Sequence, residues 1–573
     1  MGNDSAMQTR NNVKGNEKIY DVVVIGSGAG GGTVVHSLTK QGVKVLLLEA
    51  GGPLNPAKDF KEHMMPWQVP HRGAGEDGRY YFGGMRYGYF EAPNGYWDIP
   101  GEPYTVAPGN RFSWFRSRIV GGRTNHFGRI SLRFSDYDFK PYSTDGLGDD
   151  WPITYEDVAP WYDKAEAFIG VHGTREGLRT APDGVFQPPP APRVHEVLIQ
   201  KSAAKLGIPV IAARKAMITK AHNGRAACHY CGHCGRGCLT ASAYTSSQVQ
   251  IFPALKTGNL ELRTHAMVRS IEMGKSGLAE SVVYIDKLTR QERRVKARVI
   301  VLAASSCESS RILLNSKSPS FPNGLANSSG VVGKYLTDTV GLSVRGQIPA
   351  LEGLMHYDTD GIRGMHTYIP WWLFGKKLDF PRGYHVEMGG GFAQPQVGTF
   401  TGTANRFQSY GKALKKQIRQ DYGTYIGFTG RGEMIPNAKS YCEIDPTATD
   451  EYGIPVLRFH FAWSDYEIKQ SLHMRQTFTD IIRNLGGRPE TITATGITTG
   501  GEVIHELGTA RMGKDPRTSA VNGYNQAHDV KNLFIADGAP FVSNPDKNPT
   551  LTIIALGMRM SEYLAEEMRK GNV

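Results

Sequence analysis

The segment Tyr20-Asp-Val-Val-Val-Ile-Gly-Ser-Gly-Ala-Gly-Gly-Gly-Thr33 narrows the possible folds of this chain more than any other stretch. An apolar, strand-like run enters a glycine turn, and Thr33–Gln41 reads as the helix that follows. Gly26, Gly28 and Gly31 stand at the spacing of a dinucleotide fingerprint. The first glycine permits the tight turn, the second lets backbone approach a pyrophosphate, and the third allows close helix–strand packing. The helix N-terminus adds partial positive charge for the phosphates. A second strand, Val43–Leu48, ends at Glu49, 18 residues beyond Gly31. A carboxylate there accepts the ribose hydroxyls of an adenine dinucleotide, and Glu49 alone does not separate NAD from FAD.

At 573 residues the chain exceeds one compact core, so two or more domains are expected. With 40% hydrophobic and 21% charged residues it is neither disordered nor a polytopic membrane protein. Its apolar runs, such as Val22–Ile25 and Val299–Ala304, are strand-sized, so no transmembrane segment is expected. The net charge of +12 is scattered, with only short basic runs at Arg293–Arg294 and Lys415–Arg419. A nucleic-acid binder concentrates its charge in a stripe, so nucleic acid is excluded and a solvated basic surface is favoured. The weaker alternative is a basic face that docks an acidic partner or anionic lipid. Residues 1–17 read as a polar, flexible leader without a secretory pattern. That places the chain in the cytoplasm, or in the periplasm if it is exported on a partner subunit.

The far end completes the same sheet. Asn532-Leu-Phe-Ile-Ala-Asp-Gly538 reads as a strand ending in Asp537-Gly538, and Asn548–Met568 as a helix after another tight turn. Pro549 and Thr550 then lie at a helix N-terminus, which stabilises negative charge. Just upstream stands His505-Glu-Leu-Gly-Thr-Ala-Arg-Met-Gly513. Together with Val120-Gly-Gly-Arg-Thr-Asn-His126, Val299–Ser305, Ser309–Leu314, Val332–Asp338 and Asn544–Thr552, these motifs give the chain a specific resemblance. It resembles the GMC (glucose–methanol–choline) FAD-dependent oxidoreductases over nearly its whole length. Its motifs are closest to pyranose 2-oxidase-like members and to iron–sulfur-containing sugar or glycoside dehydrogenases.

The resemblance implies an α/β fold: a Rossmann-like FAD-binding domain interleaved with a substrate domain built on an antiparallel sheet flanked by helices. The FAD-binding domain is expected from residues 18–138, 222–338 and 501–573, and the substrate domain from 139–221 and 339–500. Besides Gly26, Gly28, Gly31 and Glu49, the implied FAD contacts are Gly122, Asn125, His126, Val268, Ala304, Asp537, Gly538, Pro549 and Thr550. In pyranose 2-oxidases a histidine at the position of His126 is bonded covalently to the flavin methyl group. A noncovalent contact by His126 or Asn125 is the reading slightly preferred here.

Alcohol oxidation by a flavin requires a base for the hydroxyl proton, and histidine titrates nearest neutrality. By position in the family, His505 is the implied base, with Asn548 donating a hydrogen bond to the same substrate oxygen. The activity implied is that of an FAD-dependent dehydrogenase taking a secondary alcohol of a sugar or glycoside, at C2 or C3, to a ketone. Oxygen-using oxidases and non-redox hydroxynitrile lyases of the same family are the alternatives.

Four of the six cysteines crowd into Cys228-His-Tyr-Cys231-Gly-His-Cys234-Gly-Arg-Gly-Cys238. Spread disulfide frameworks look different, and this spacing matches a ferredoxin-type run, although Leu239 stands where that run has proline. Either a three-iron or a four-iron cluster is expected, with zinc or metal-free thiols as competing readings. A cluster would release electrons singly to a cytochrome or quinone-linked acceptor, and a small escort subunit is a further possible partner. Arg236 is a candidate docking charge for such an acceptor. For the sugar, the aromatic run Tyr368–Phe374 offers stacking faces or core packing, and Glu387 and Glu433 are candidate hydroxyl acceptors. Strands are expected at Gly427–Met434 and Ile454–His460, with a turn at Asp445-Pro446.

Overall fold

The computed structural model describes residues 18–65, 68, 95–96, 99–354, 361–392, 404–491 and 496–573. The expected leader, residues 1–17, lies outside these. A seven-stranded sheet organises the nucleotide-binding part. At its centre β1 (Ile19–Ile25) pairs in parallel with β2 (Val45–Leu48) on one side and β6 (Gln291–Leu302) on the other. Beyond β2 lies β3 (Leu260–Arg263), also parallel. The C-terminal strand β13 (Leu533–Ile535) returns to pair with β6. The antiparallel strands β5 (Ala279–Asp286) and β4 (Ala266–Met273) extend the far edge. All four β2 residues are buried, and β1 is buried through Val22–Ile25, as expected of parallel strands covered on both faces.

Helix α1 (Ala29–Lys40) begins four residues before the start read from sequence. Its glycines are helical because the helix presses on its neighbours. A Cβ at Gly30 would sit 1.7 Å from the Ala536 carbonyl oxygen, and one at Gly31 would sit 1.9 Å from that of Gly26. Helix α5 (Thr550–Lys570) packs beside α1 and against α2 (Tyr155–Ile169), burying Leu551, Ile554, Ala555 and Leu556, and α3 (Ser306–Asn315) follows β6.

The second sheet has six strands: Arg488–Pro489, β7 (Val340–Gln347), β10 (Tyr425–Gly432), β9 (Tyr384–Gly390), β8 (Thr367–Ile369) and Ile211–Ala212. All its pairings are antiparallel. Alternation along β9 and β10 assigns the faces. Tyr384, Val386, Met388, Ile426 and Phe428 share a core with Met474, Phe478 and Ile481 of α4 (Asp465–Asn484). Gly430 and Gly432 let that helix approach, since Cβ atoms there would meet Met474 and Gln470. The other face carries His385, Glu387 and Arg431. His385 is the direct cross-strand neighbour of Arg431, so Glu387 is its diagonal neighbour.

One local expectation fails. Asp445-Pro446 is not a turn but lies within β11 (Tyr441–Thr449), where pairing with β12 (Pro455–His460) shifts register between Ile444 and Thr449. Proline has no N–H for the ladder, and the Asp445 carboxylate takes the N–H groups of Thr447 and Ala448 instead. The aromatic run supplies core rather than open stacking faces. Tyr368, Trp371 and Leu373 are buried, and Trp371 packs edge-on against Tyr137 and Phe374.

Candidate active site

One large cavity, about 330 Å³, runs between the two sheets. At one end it is lined by Gly26, Ser27, Gly28, Ala29, Gly30 and Glu49, at the other by Glu387, Arg431, His505 and Asn548. Gly26 has φ +98°, and a Cβ there would strike the Ala303 carbonyl. Gly28 differs, since a Cβ on it would meet nothing within 4 Å and its backbone faces open space. No side chain caps the α1 N-terminus. The turn is therefore a cradle with free helix-end N–H groups, and it fits a pyrophosphate. Glu49 holds the turn's shape: its carboxylate accepts from the Ser27 N–H at 3.1 Å and the Gly51 N–H at 2.7 Å. Burial raises its pKa.

The other residues expected to contact FAD divide into two groups. Gly122, His126, Val268, Ala304, Asp537, Gly538, Pro549 and Thr550 line the cavity. Gly31 does not, because it serves α1–β1 packing. Asn125 is also turned away and braces its own turn by donating to the Val120 and Gly122 carbonyls. His126 has Nε2 3.0 Å from Ser117 Oγ and stands edge-on to Phe115. Burial, then Arg129 and Arg123, lower its pKa to about 3. Asp537 accepts from Ser305 N–H, Ser309 Oγ and Ala539 N–H, and burial raises it to about 6.

At the opposite end, hydrogen bonds fix the state of His505. Asn544 donates its amide to the His505 carbonyl at 3.0 Å and to Thr337 Oγ1 at 3.3 Å. Its carbonyl oxygen is therefore left to accept from Thr339 Oγ1, at 3.4 Å. Having given its proton to Asn544, Thr339 accepts from His505 Nδ1–H, at 3.0 Å. The proton sits on Nδ1, and the Nε2 lone pair points toward Asn548 Nδ2, 3.4 Å away. Burial and then the Arg431 guanidinium lower the imidazole to about 3, so it is neutral. The loop carrying it is pinned by Asp338, whose carboxylate accepts from the N–H groups of Gly501, Val503 and His505. Arg123 pairs with Glu506 and joins the 120s loop to this motif.

Sequence reading missed Ser27, Arg123, Thr339 and Asn544. All four lie inside or beside motifs already singled out, yet nothing in the spacing tells which motif residue faces which. Of the two carboxylates proposed for sugar hydroxyls, Glu387 reaches the cavity while Glu433 is buried in an ion pair with Arg382.

The cysteine segment does not line the cavity but lies behind it. Arg129 donates to the Phe127 carbonyl at 2.7 Å and reaches the Cys234 carbonyl at 3.4 Å, and Phe127 lines the cavity. All six cysteines are free thiols. Among the described residues, no three His, Cys, Asp or Glu side chains converge where a single metal ion could sit. Backbone N–H groups of Tyr230 and Ala243 do point at the sulfurs of Cys228 and Cys238, at 3.4 and 3.5 Å. Burial raises the Cys228 thiol to about 12 and the Cys231 thiol to about 11. Arg236 is not a docking charge: it is buried, donating to the Met64 carbonyl at 2.6 Å. No helix among the described residues is long and apolar enough to cross a membrane.

Comparison with known proteins identifies the family. Two family models, both described as GMC oxidoreductase, match residues 20–340 and 436–557. The chain is 30% identical over 553 residues to 2-methyl-1,2-propanediol dehydrogenase of Mycolicibacterium austroafricanum, covering 95% of each protein. It is 26% identical to the fructose dehydrogenase large subunit of Gluconobacter japonicus, over 96% of this chain and 98% of that one. Paromamine 6'-oxidase of Streptomyces fradiae is 27% identical, over 96% of this chain and 92% of that one. Among solved structures, pyridoxine 4-oxidase from Mesorbium loti shares the fold, with a TM-score of 0.60 and 15% identity, over 96% of this chain and 99% of that one.

Proposed function

Because this chain belongs to the GMC oxidoreductases, FAD-dependent enzymes that act on alcohol groups, we propose that it is a dehydrogenase of a sugar or related polyol. The observation that carries this reading is the neutral His505, its Nε2 lone pair facing Asn548 at the far end of the cavity. The Gly26–Gly30 turn, Glu49 and the α5 N-terminus would hold FAD, which supplies the acceptor for the hydride leaving the carbinol carbon. His505 Nε2 removes the hydroxyl proton. Asn548 Nδ2, which reaches toward Nε2, donates a hydrogen bond to the same oxygen and steadies it as negative charge develops. Thr339 and Asn544 keep His505 in the tautomer that can accept.

Support for a polyol comes from the relatives, whose names include a propanediol dehydrogenase, a fructose dehydrogenase subunit and a paromamine 6'-oxidase. Oxidation at a secondary carbon, C2 or C3, is the finer form of the proposal. An external acceptor, a cytochrome or quinone-linked protein, is supported by relatives described as a large subunit and a flavoprotein. An iron–sulfur cluster on Cys228, Cys231, Cys234 and Cys238 is supported by their spacing and by the N–H groups directed at two of the sulfurs. Iron and acid-labile sulfide assays on anaerobically purified protein test it independently of turnover. We also place FAD binding in residues 18–138, 222–338 and 501–573, and substrate binding in 139–221 and 339–500.

The central experiment is anaerobic mixing of FAD-loaded protein with a panel of sugars, glycosides and diols, read by flavin absorbance. Bleaching by a polyol is expected, and His505→Ala should lower its rate by about 10²–10⁴-fold with FAD content unchanged. Undiminished bleaching by that variant removes His505 as base. Turnover with a dye acceptor that exceeds turnover with oxygen identifies a dehydrogenase, and the reverse identifies an oxidase.

A further inference from the structure

The face of the second sheet that borders the cavity carries a row of buried charges that the chemistry above does not use. Arg431 Nη2 lies 3.1 Å from Glu387. His385 sits between two carboxylates, with Nε2 3.6 Å from Glu387 and Nδ1 3.6 Å from Asp546. These spans are too long for direct hydrogen bonds but suit ion pairing. Lys547 follows, 2.5 Å from Asp546 and 3.0 Å from Asp138. The signs alternate along the row: Arg431, Glu387, His385, Asp546, Lys547, Asp138. Each basic group therefore has carboxyl neighbours, the arrangement that lets charge persist in the interior. Burial opposes ionisation of Glu387, but Arg431 and His385 outweigh it and hold its carboxyl well below the usual range.

An ionised carboxylate only accepts hydrogen bonds. Glu387 Oε1 lies 3.1 Å from Asn548 Nδ2, so the amide group of Asn548 must face it. The second N–H of the same nitrogen then faces His505 Nε2. The opposite flip would set the Asn548 carbonyl oxygen against both a carboxylate and an imidazole lone pair. The contacts with Glu387 and with His505 Nε2 both select that orientation.

We propose that Glu387 is a positioning residue, a carboxylate lock that holds the Asn548 amide with one N–H aimed at the substrate oxygen beside His505. This rests on the roles proposed above for His505 and Asn548. One Glu387 carboxylate oxygen accepts from Asn548 and faces His385, and the other accepts from Arg431.

The test is a double-mutant cycle on the FAD-loaded protein, read as the limiting rate of anaerobic flavin reduction. The substrate is whichever of 2-methyl-1,2-propanediol, D-fructose, D-glucose or methyl glucoside bleaches the flavin fastest. E387Q should lower that rate by about 10–100-fold, as expected for a misplaced catalytic contact. In an N548A background the same change should cost less than about 3-fold, because a lock has nothing left to hold. E387D keeps the negative charge but draws the carboxylate back from Asn548, and it should lose rate as well. A crystal structure of E387Q should show the Asn548 side chain turned from His505. The lock is overturned if E387Q or E387D reduces flavin at the parent rate while N548A does not, or if the losses multiply in the cycle. If N548A itself keeps the parent rate, or no alcohol in the panel bleaches the flavin, the underlying reading of the site fails instead, and the lock with it.

Discussion

At the scale of single residues, the site depends on protons held in place by neighbours. His505 is neutral because burial and Arg431 lower its pKa to about 3. A base that is already deprotonated at neutral pH does not gain activity as pH rises through 6.5. The limiting rate of flavin reduction should therefore be flat between pH 8 and pH 5, whereas an ordinary histidine would lose about tenfold per pH unit below its pKa near 6.5. Stopped-flow reduction across that range checks this. His505 and Asn548 were legible as residues because each sits in a motif. The Nδ1 proton was not legible, because it is assigned by Thr339 and Asn544, which lie 166 and 39 residues away.

At the scale of elements, the strand–turn–helix of β1 and α1 separates two uses of glycine. Gly28 has φ −67° and open space where a Cβ would lie, so Gly28→Ala should fold normally. Its new methyl group projects where a phosphate is expected, so FAD affinity should fall. Gly31→Ala would drive a Cβ into the Gly26 carbonyl and should destabilise the fold itself by about 1–3 kcal/mol or more. Melting temperature and FAD content of the two variants, measured side by side, distinguish these effects. The same geometry explains the early start of α1. Glycine lowers helix propensity, and the sequence pattern alone favoured a start at Thr33, but close contact with Ala536 and Gly26 outweighs that cost. At β11 the outcome is the reverse. Asp445-Pro446 carries a turn signature, yet the strand continues past it with a shift in register, because pairing with β12 resumes at Thr449.

At the scale of the whole molecule, buried histidines set the response to acid. Outside the cavity, His36 and His172 are lowered to about 4, and His195 and His366 to about 3, each chiefly by burial. In each case the folded value lies below the unfolded value near 6.5. The unfolded chain therefore takes up protons that the folded chain refuses. The stability these four residues contribute is present above pH 6.5 and is lost as pH falls below it, at about 1.4 kcal/mol per pH unit for each histidine. His385, held above its ordinary value by Asp546 and Glu387 against burial, works in the opposite sense, as do the buried carboxyls of Asp338, raised to about 7, and Asp537, raised to about 6. His126 and His505, lowered to about 3, add to the four. Melting temperature should accordingly drop between pH 7 and pH 5, and a melting temperature that stays level would contradict the burial of these imidazoles.

The sequence by itself determined the nucleotide-binding unit, because its parts are local. A fingerprint of glycines, an acidic strand end and a terminal strand–helix each need only a few adjacent residues to be recognised. The antiparallel sheet was instead implied by the resemblance, with alternation legible in one of its strands, Gly427–Met434. What the tertiary structure decided is every relation between those parts. It turned Asn125 and Arg236 away from the roles expected of them and put the aromatic run into the core. It also brought Glu387, 118 residues before His505, against Asn548. The physical reason is directional: hydrogen bonds and ion pairs depend on which face of a strand a side chain occupies and on what packs opposite. Register between distant segments sets both.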